Sequence, residues 1–224
     1  MEHKNIHPWD VSIKEAIRIQ EELKSKISLR WKNQKLDTIA GIDIAYKGNI
    51  AVCAVIVFHY PELEILSEHT CVLPVFFPYV RGLLAFRELP IILETLKKVK
   101  NNIDVYLFDG HGTAHPRKLG LATHAGILLN KTSIGVAKSV INGDFVIPEN
   151  KKGSFTFLKQ NNEITGAVLR TKLDTKPVVV SPGNLIDLEN SIKIVLSCTT
   201  CYRIPEPIRR AHILARKIAK SVII

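Results

Sequence analysis

Gly41-Ile42-Asp43-Ile44 and Val105-Tyr106-Leu107-Phe108-Asp109-Gly110 each place a carboxylate inside an apolar run that is typical of a buried β-strand. A buried carboxylate is costly unless it is paired or binds a cation. Glu88 lies between these runs, in a stretch with helical spacing. Two strands and a helix can bring three carboxylates together at a sheet edge, where hard oxygen ligands attract Mg2+ or Mn2+. Asp43, Glu88 and Asp109 are therefore the candidate ligands of a divalent metal ion.

The apolar patterns around these runs predict an α/β protein. A helix at 12–30 begins with a capping box formed by Ser12 and Glu15, and Pro90 marks a break or a new start in a helix at 83–100. The predicted strands lie at 38–46, 50–58, 63–73, 103–108, 133–137, 154–159, 163–171 and 178–181, and the remaining helices at 119–130, 187–198 and 207–222. No repeat or low-complexity linker separates these elements, so we expect one domain over residues 1–224.

The order of the central elements, β-β-β-α-β-α-β, resembles the ribonuclease H-like nuclease fold, an α/β fold whose central mixed sheet is flanked by helices. In that fold the first and fourth strands lie side by side. The resemblance therefore implies that Asp43 and Asp109 converge and that a helix supplies Glu88. The ribonuclease H-like core would cover about residues 36–222.

The composition favours a polyanionic partner. The chain has 31 Lys and Arg against 21 Asp and Glu, a net charge of +10. No apolar run is long enough to cross a membrane, and residues 1–5 lead into charged sequence rather than a signal peptide, so we expect a cytoplasmic protein without a membrane partner. Cys198 and Cys201 have the spacing of only half a zinc site, and we interpret them as a chance pair near the end of a helix. Cys53 and Cys71 could face each other across a hairpin, and we expect them to be free thiols.

Two loops carry residues suited to binding a nucleotide. In the segment 109–120, three glycines permit close approach of the backbone to a ligand, but their spacing matches neither a Walker nor a Rossmann motif. This argues against nucleoside triphosphates and dinucleotides. The segment Pro78-Tyr79-Val80-Arg81-Gly82 precedes Glu88. It is either a wedge that fills the gap left by a displaced base or an ordinary turn with Tyr79 packed on the core.

From about residue 7 to residue 215, the chain resembles the endonuclease V family. The resemblance rests on several long motifs that occur in the family's order. They are Gly41-Ile42-Asp43, FPYVRGLLAFRE at 77–88, DGHGTAHPRKLG at 109–120, IGVAKS at 134–139, VSPG at 180–183, RIPEPIR at 203–209 and Ala211-His212.

This resemblance implies an endonuclease that acts in the repair of deaminated nucleic acid. Such an enzyme recognises a flipped hypoxanthine, in deoxyinosine or inosine. It hydrolyses the second phosphodiester bond 3′ to that base and leaves 3′-hydroxyl and 5′-phosphate ends. It requires Mg2+, for which Mn2+ is expected to substitute. The implied partner is DNA containing deoxyinosine. Inosine-containing RNA stays an open alternative, and we expect a monomer.

The resemblance also implies roles for single residues. Asp43, Glu88 and Asp109 would bind the metal, Lys138 would lie beside the scissile phosphate, and His212 would complete the catalytic centre. Tyr79, Val80 and Arg81 would form the strand-separating wedge. The residues implied in holding the flipped nucleotide are Gly82, Leu84, Gly110, His115, Gly120 and Ser181. Spacing alone would instead make His212 a histidine at the edge of the core and Lys138 a solvated lysine.

Arg81 departs from the family pattern, in which many members have proline at this position. Its charge and its lower rigidity leave open whether the wedge prefers a duplex or a single strand. The basic residues Arg203, Arg209, Arg210, Arg216 and Lys217 are expected to form a solvated face that attracts phosphate.

Two alternatives to this nuclease remain at the level of sequence. A non-catalytic nucleic-acid binder is the first, although three acids held against a polyanion would weaken its binding. A junction resolvase of the same fold is the second. The loops at 78–82 and 109–120 argue against it, because they suit a displaced base rather than a four-way junction.

Overall fold

The structure, a computed structural model, describes residues 6–32 and 35–222, and the strands in these ranges form one eight-stranded sheet. In chain order they are β1 (Thr38–Lys47), β2 (Ile50–His59), β3 (Ile65–Pro74), β4 (Val105–Asp109), β5 (Thr132–Ala137), β6 (Phe155–Gln160), β7 (Glu163–Leu169) and β8 (Val178–Asn184). Their order across the sheet is β3-β2-β1-β4-β5-β8-β7-β6. β1 is antiparallel to β2 and parallel to β4. The predicted adjacency of the first and fourth strands and the ribonuclease H-like fold are thereby confirmed.

Helices cover both faces of this sheet. They are α1 (Ile13–Leu23), α2 (Leu84–Lys97), α3 (Leu121–Leu129), α4 (Leu188–Ser197) and α5 (Glu206–Ser221). Successive strand residues point to opposite faces. On β4, Val105 and Leu107 pack with residues of α4 and α5, whereas Tyr106 and Phe108 pack with residues of α2 and α3. This alternation decides which functional side chains can meet.

Two predicted helices differ from the observed ones. α2 runs without a break through Pro90, because the apolar residues on both sides of the proline are buried and outweigh one lost hydrogen bond. The helix predicted at 12–30 ends at Leu23 and is followed by a single 3-10 turn, Lys24–Lys26. There the Ser25 hydroxyl donates to the carbonyl of Glu22, and Ile27 is already extended.

Several smaller expectations can be compared with the described residues. No helix among them is long and apolar enough to cross a membrane. Cys53 and Cys71 lie opposite each other on β2 and β3, and both are free thiols, as are Cys198 and Cys201. Residues 1–5, whose sequence argues against a signal peptide, lie outside the described ranges.

Candidate active site

Asp43 and Asp109 lie side by side on the central strands. In the parallel pairing of β1 with β4, Ile42 is opposite Phe108, so the two aspartates that follow are neighbours. Both lie on the sheet face that α5 covers, because they follow residues that point to the other face. Asp43 is 8% exposed. The sequence-based expectation that these two carboxylates converge is confirmed by this register.

His212 on α5 completes a group of three side chains. Its Nδ1 donates to Asp43 Oδ2 at 2.6 Å. One ligand atom from each of Asp43, Asp109 and His212 lies within 4.8 Å of the others. α5 comes this close because Gly41 has no side chain, and a Cβ there would lie 2.1 Å from the carbonyl of Pro207. His212 therefore faces the aspartates and is not a histidine that merely borders the core.

The charges of this group suit a divalent cation. Burial and the neighbouring Asp109 carboxylate raise the pKa of Asp43 to about 6, while the hydrogen bond from His212 opposes that rise. Two carboxylates that repel each other in a partly dehydrated site supply hard oxygen ligands for Mg2+ or Mn2+. The donor set therefore fits the metal that the sequence predicts.

Glu88, the third predicted metal ligand, has a different partner. It projects from α2 on the other side of the sheet and accepts a hydrogen bond from Tyr46 Oη at 2.9 Å. It is not one of the three residues whose ligand atoms cluster. Burial, with smaller contributions from Asp43 and Asp109, raises the pKa of Glu88 to about 8. Glu88 thus lies within electrostatic reach of the aspartates while its side chain is engaged by Tyr46, a residue that sequence reasoning missed.

Glu88 predicts a pH dependence of stability in the metal-free protein. Its folded pKa of about 8 exceeds the ordinary value of 4.5, so between these values the folded state holds a proton that the unfolded state has lost. The contribution of protonated Glu88 to the free energy of unfolding is therefore complete below about pH 4.5, and it is lost as pH rises through 8. Between pH 6.5 and 8, we expect the free energy of unfolding to fall by up to about 1.4 kcal/mol per pH unit in wild type. Glu88→Gln should remove most of this slope.

Urea unfolding in the presence of a chelator tests this expectation. The window above pH 6.5 is chosen because Asp43, with a pKa of about 6, contributes mainly below it. Exposed Glu94→Gln, on the same helix, is the matched control and should keep the wild-type slope. Equal slopes for wild type and Glu88→Gln would contradict the prediction.

Lys138 follows β5 and donates through Nζ to Asp109 Oδ2. Arg203 fixes the backbone of Lys138, because its Nη2 donates to the carbonyls of Lys138 at 2.8 Å and Pro177 at 2.9 Å. Arg203 is thus half-buried and positions the lysine, which corrects its assignment to a solvated face. Arg209 also departs from that assignment, because it is half-buried and pairs with Glu206, whereas Arg210 pairs with the same carboxylate but is exposed as expected. Only Arg216 and Lys217 of the five are exposed without an ion pair among the described residues.

A pocket of about 460 Å³ opens beside Asp109 and Lys138. Eight of the nine residues predicted to bind the nucleotide or form the wedge line it, namely Tyr79, Val80, Arg81, Gly82, Leu84, Gly110, His115 and Gly120. Tyr79 is 74% exposed, so the alternative of a turn with this ring packed on the core is wrong. Arg81 Nη2 donates to the carbonyl of Ile141 at 2.7 Å. This hydrogen bond connects the wedge loop, residues 78–82, to the segment after Lys138.

Ser181 is the predicted pocket residue that does not line this cavity. It is fully buried on β8, and its Oγ accepts a hydrogen bond from the backbone N–H of Gly112 at 2.8 Å. Gly112 in turn lies against β8 so closely that a Cβ would be 2.1 Å from the carbonyl of Pro182. Ser181 therefore fixes the glycine-rich loop, residues 109–120, through this hydrogen bond, and its side chain is not exposed to a ligand.

The carbonyl of Gly82 is a fixed point of the wedge loop. It accepts hydrogen bonds from Gln20 Nε2 at 3.0 Å, His115 Nε2 at 3.0 Å and Arg117 Nη2 at 2.8 Å. His115 donates here because its Nδ1 accepts from the Arg117 N–H, and burial, followed by the Arg117 charge, lowers the pKa of His115 to about 4. The imidazole is therefore neutral at physiological pH and acts as a support for the loop.

Gln20 is a functional candidate that sequence reasoning missed. It lies on the buried face of α1 and also donates to the carbonyl of Leu119, while its Oε1 accepts from Arg117 Nε at 2.6 Å. The signal in the sequence is a polar residue within the apolar stripe formed by Ala16, Ile19 and Leu23. A buried amide at such a position needs partners, and here these partners belong to the pocket.

Gln20→Leu is expected to raise KM for the nucleic-acid substrate about tenfold, since a hydrogen bond to a charged group contributes roughly 1.5–3 kcal/mol. The turnover rate at saturation should change less, because no metal ligand is touched. Steady-state kinetics of wild type, Gln20→Leu and the exposed same-helix control Glu22→Leu measure this split. A lower turnover rate with an unchanged KM would count against a positioning role.

Comparison with known proteins agrees with this geometry. A family model described as Endonuclease V matches residues 21–213. The chain is 42% identical over 220 residues to the endonuclease V of Methanothrix thermoacetophila, covering 98% of each chain. The crystal structure of endonuclease V from Bacillus subtilis has a TM-score of 0.94 at 36% identity, covering 99% of this chain and 98% of that one. Endonuclease V of Ciona intestinalis, solved in complex with a 24mer DNA containing an inosine followed by a ribo-adenosine, has a TM-score of 0.84 at 32% identity, covering 94% of this chain and 99% of that one.

Proposed function

The chain belongs to the endonuclease V family, a family of nucleases, and from that membership we propose that it cuts nucleic acid containing deaminated adenine. The strand is hydrolysed at the second phosphodiester bond 3′ to a flipped hypoxanthine, leaving 3′-hydroxyl and 5′-phosphate ends. Mg2+ is the cofactor, and Mn2+ substitutes for it. One observation carries the proposal. Asp109 and Lys138 belong both to the group around Asp43 and to the wall of the 460 Å³ pocket.

A pocket that shares a wall with the reacting centre couples recognition to cleavage. Its volume lies within the range of small-molecule sites. Three glycines line it, namely Gly82, Gly110 and Gly120, and none of them adds a side chain to the space that hypoxanthine would occupy. Flipping a base costs a few kcal/mol and costs least at a weakly paired one, which adds selectivity for a deaminated base. The exposed ring of Tyr79, with Val80 and Arg81, fills the gap that the flipped base leaves.

The side chains around Asp43 divide the work of hydrolysis. Asp43 and Asp109, with Glu88 or His212 beside them, would hold the divalent cation, which would supply activation of water and stabilisation of charge on the leaving oxygen. Lys138 adds positive charge where the phosphate becomes more negative. His212 is oriented by its Nδ1–H bond to Asp43, so its Nε2 is free to exchange a proton with water or the leaving group.

The DNA partner is supported by the inosine-containing DNA bound to the Ciona intestinalis relative. We further propose that residues 1–224 act as one monomeric domain. All the pocket residues, the wedge and the metal ligands come from this one chain, and one sheet connects the elements that carry them. A second copy is therefore not needed to complete the site.

The decisive experiment compares cleavage of matched strands that contain one inosine or one adenosine, as DNA or RNA and single or double stranded. We expect Mg2+-dependent cutting of inosine strands one nucleotide beyond the 3′ phosphate of the lesion, and the ranking of substrates assigns DNA or RNA. Mapping of the product ends checks the position of the cut. Tight binding without any cutting, in Mg2+ and in Mn2+, would instead favour the non-catalytic binder.

A further inference from the structure

A second groove opens on the side of the metal-ligand group where His212 lies. Its volume is about 470 Å³, and none of the residues that line it lines the pocket beside Asp109. Its basic lining residues are Lys47, His212, Arg216 and Lys220. Asp109 belongs to the pocket and His212 to the groove, while both cluster with Asp43. The candidate metal centre therefore lies where the pocket and the groove meet.

Three basic residues of this groove form a row along α5. His212, Arg216 and Lys220 are spaced by four residues, so they lie on one side of the helix with a rise of about 6 Å between successive residues. The row begins at the metal centre and leads away from it. The cations of Arg216 and Lys220 in this row suit the repeating phosphates of a nucleic-acid strand.

The positive charge of the row is not neutralised. Arg216 and Lys220 are exposed, and no carboxylate pairs with either within the described part of the chain. Lys47 donates through Nζ to the carbonyls of Lys220 at 3.4 Å and Val222 at 2.5 Å, which fastens the end of α5 to β1 and leaves its charge in the groove. Nearer the start of α5, by contrast, Glu206 forms ion pairs with both Arg209 and Arg210.

We propose that this groove binds the phosphates on the 3′ side of the scissile bond, that is, the strand that leaves with the new 5′-phosphate. The assignment rests on the proposed function. If the flipped base occupies the pocket and the second phosphodiester bond 3′ to it lies at the metal centre, the strand beyond that bond continues away from the pocket. The groove beside His212 is the cavity with cations in that position. Arg216 and Lys220 are the phosphate contacts, and Lys47 shapes the groove.

Neutral phosphate analogues test this assignment through binding as well as cutting. Single-stranded inosine oligonucleotides would carry one methylphosphonate linkage, either at the phosphate next 3′ to the scissile bond or at a phosphate 5′ to the lesion. Affinity would be measured by fluorescence anisotropy in the presence of a chelator. Three proteins are compared: wild type, Arg216→Gln/Lys220→Gln, and the control Lys100→Gln/Lys151→Gln, which removes the same charge from exposed positions outside the groove and the pocket.

The neutral 3′ linkage should weaken binding to wild type and to the control about tenfold, and it should cause no further loss in the groove variant, because those contacts are already gone. The neutral 5′ linkage should affect all three proteins equally. The slope of the logarithm of the binding constant against the logarithm of the salt concentration should also be shallower by about 1.4 in the groove variant, since each single-strand phosphate contact contributes roughly 0.7. The assignment would be overturned if the neutral 3′ linkage weakened binding equally in wild type and the groove variant. It would also be overturned if the effect of the neutral 5′ linkage on affinity differed between the three proteins.

Different experimental results would overturn the proposed function and the groove assignment. If wild type neither prefers nor cuts inosine strands, the proposed function is overturned and the groove assignment falls with it. If wild type cuts them at the expected bond but the groove variant keeps the wild-type response to the 3′ linkage, only the groove assignment is overturned. Both proposals are supported if wild type cuts at the expected bond and the neutral 3′ linkage weakens binding to wild type but not to the groove variant.

Discussion

Asp43→Asn is expected to lower the rate of inosine-strand cleavage by at least about a thousandfold, a loss typical of removing a central electrostatic group. Asp43 is the shared member of the site, because its carboxylate lies beside Asp109 and accepts the hydrogen bond from His212. Asparagine keeps the volume and an acceptor oxygen but loses the charge that a divalent cation requires. Single-turnover rates in saturating Mg2+ measure the loss, and calorimetry with Mn2+ should show weaker metal binding.

The same variant should fold at least as stably as wild type in the absence of metal. Burial and Asp109 both disfavour the ionised form of Asp43 at neutral pH, so a neutral side chain relieves a repulsion. Affinity for an inosine strand in chelator should be kept or improved, because a negative charge near the phosphates is gone. Asp37→Asn, at an exposed carboxylate paired with Lys35, is the control and should cut at the wild-type rate. Near-normal cleavage by Asp43→Asn would overturn the assigned centre, whereas a cooperative loss of folding would show that Asp43 is structural.

Gly41→Ala is expected to destabilise the protein by about 3 kcal/mol or more and to disable the site, since forcing extra atoms into a packed interior costs about 1–3 kcal/mol and more where backbone must move. The new Cβ would lie 2.1 Å from both the carbonyl carbon and oxygen of Pro207 and 2.7 Å from the nitrogen of Ile208. All three are backbone atoms, so the first turn of α5 has to shift away from β1. His212 lies on the same helix, and the shift should lengthen its bond to Asp43.

Two readouts separate these effects. Urea unfolding gives the loss of stability, and the cleavage rate at a temperature where the variant is still folded gives the displacement of His212. Ala45→Gly, on the same face of the same strand, removes a methyl group without a clash and should cost less than about 1 kcal/mol with little loss of rate. Stability and rate close to wild type in Gly41→Ala would mean that α5 tolerates the shift and that its close packing is not what positions His212.

Much of this architecture follows from patterns that are local in the sequence. The alternation and apolar runs of β1 and β4 and the periodicity of α2 through Glu88 are properties of neighbouring residues, and they placed these two strands and this helix within a few residues of the observed bounds. The glycine-rich loop and the wedge loop were recognisable from composition, and the seven residues predicted in them all line one pocket. Local patterns failed at Pro90, where packing on both sides keeps the helix continuous.

The sequence by itself therefore determined the order of elements, the two central aspartates and the loops around the pocket, because each of these depends on the spacing of adjacent residues. Only the tertiary structure decided which residues meet across the sheet. His212 faces Asp43 and Glu88 faces Tyr46 because alternate residues of β1 point to opposite layers, and because Gly41 allows α5 to approach. Gln20 and Arg203 acquire their roles in the same way, through hydrogen bonds to backbone carbonyls that lie far away in the chain and close only in the folded protein.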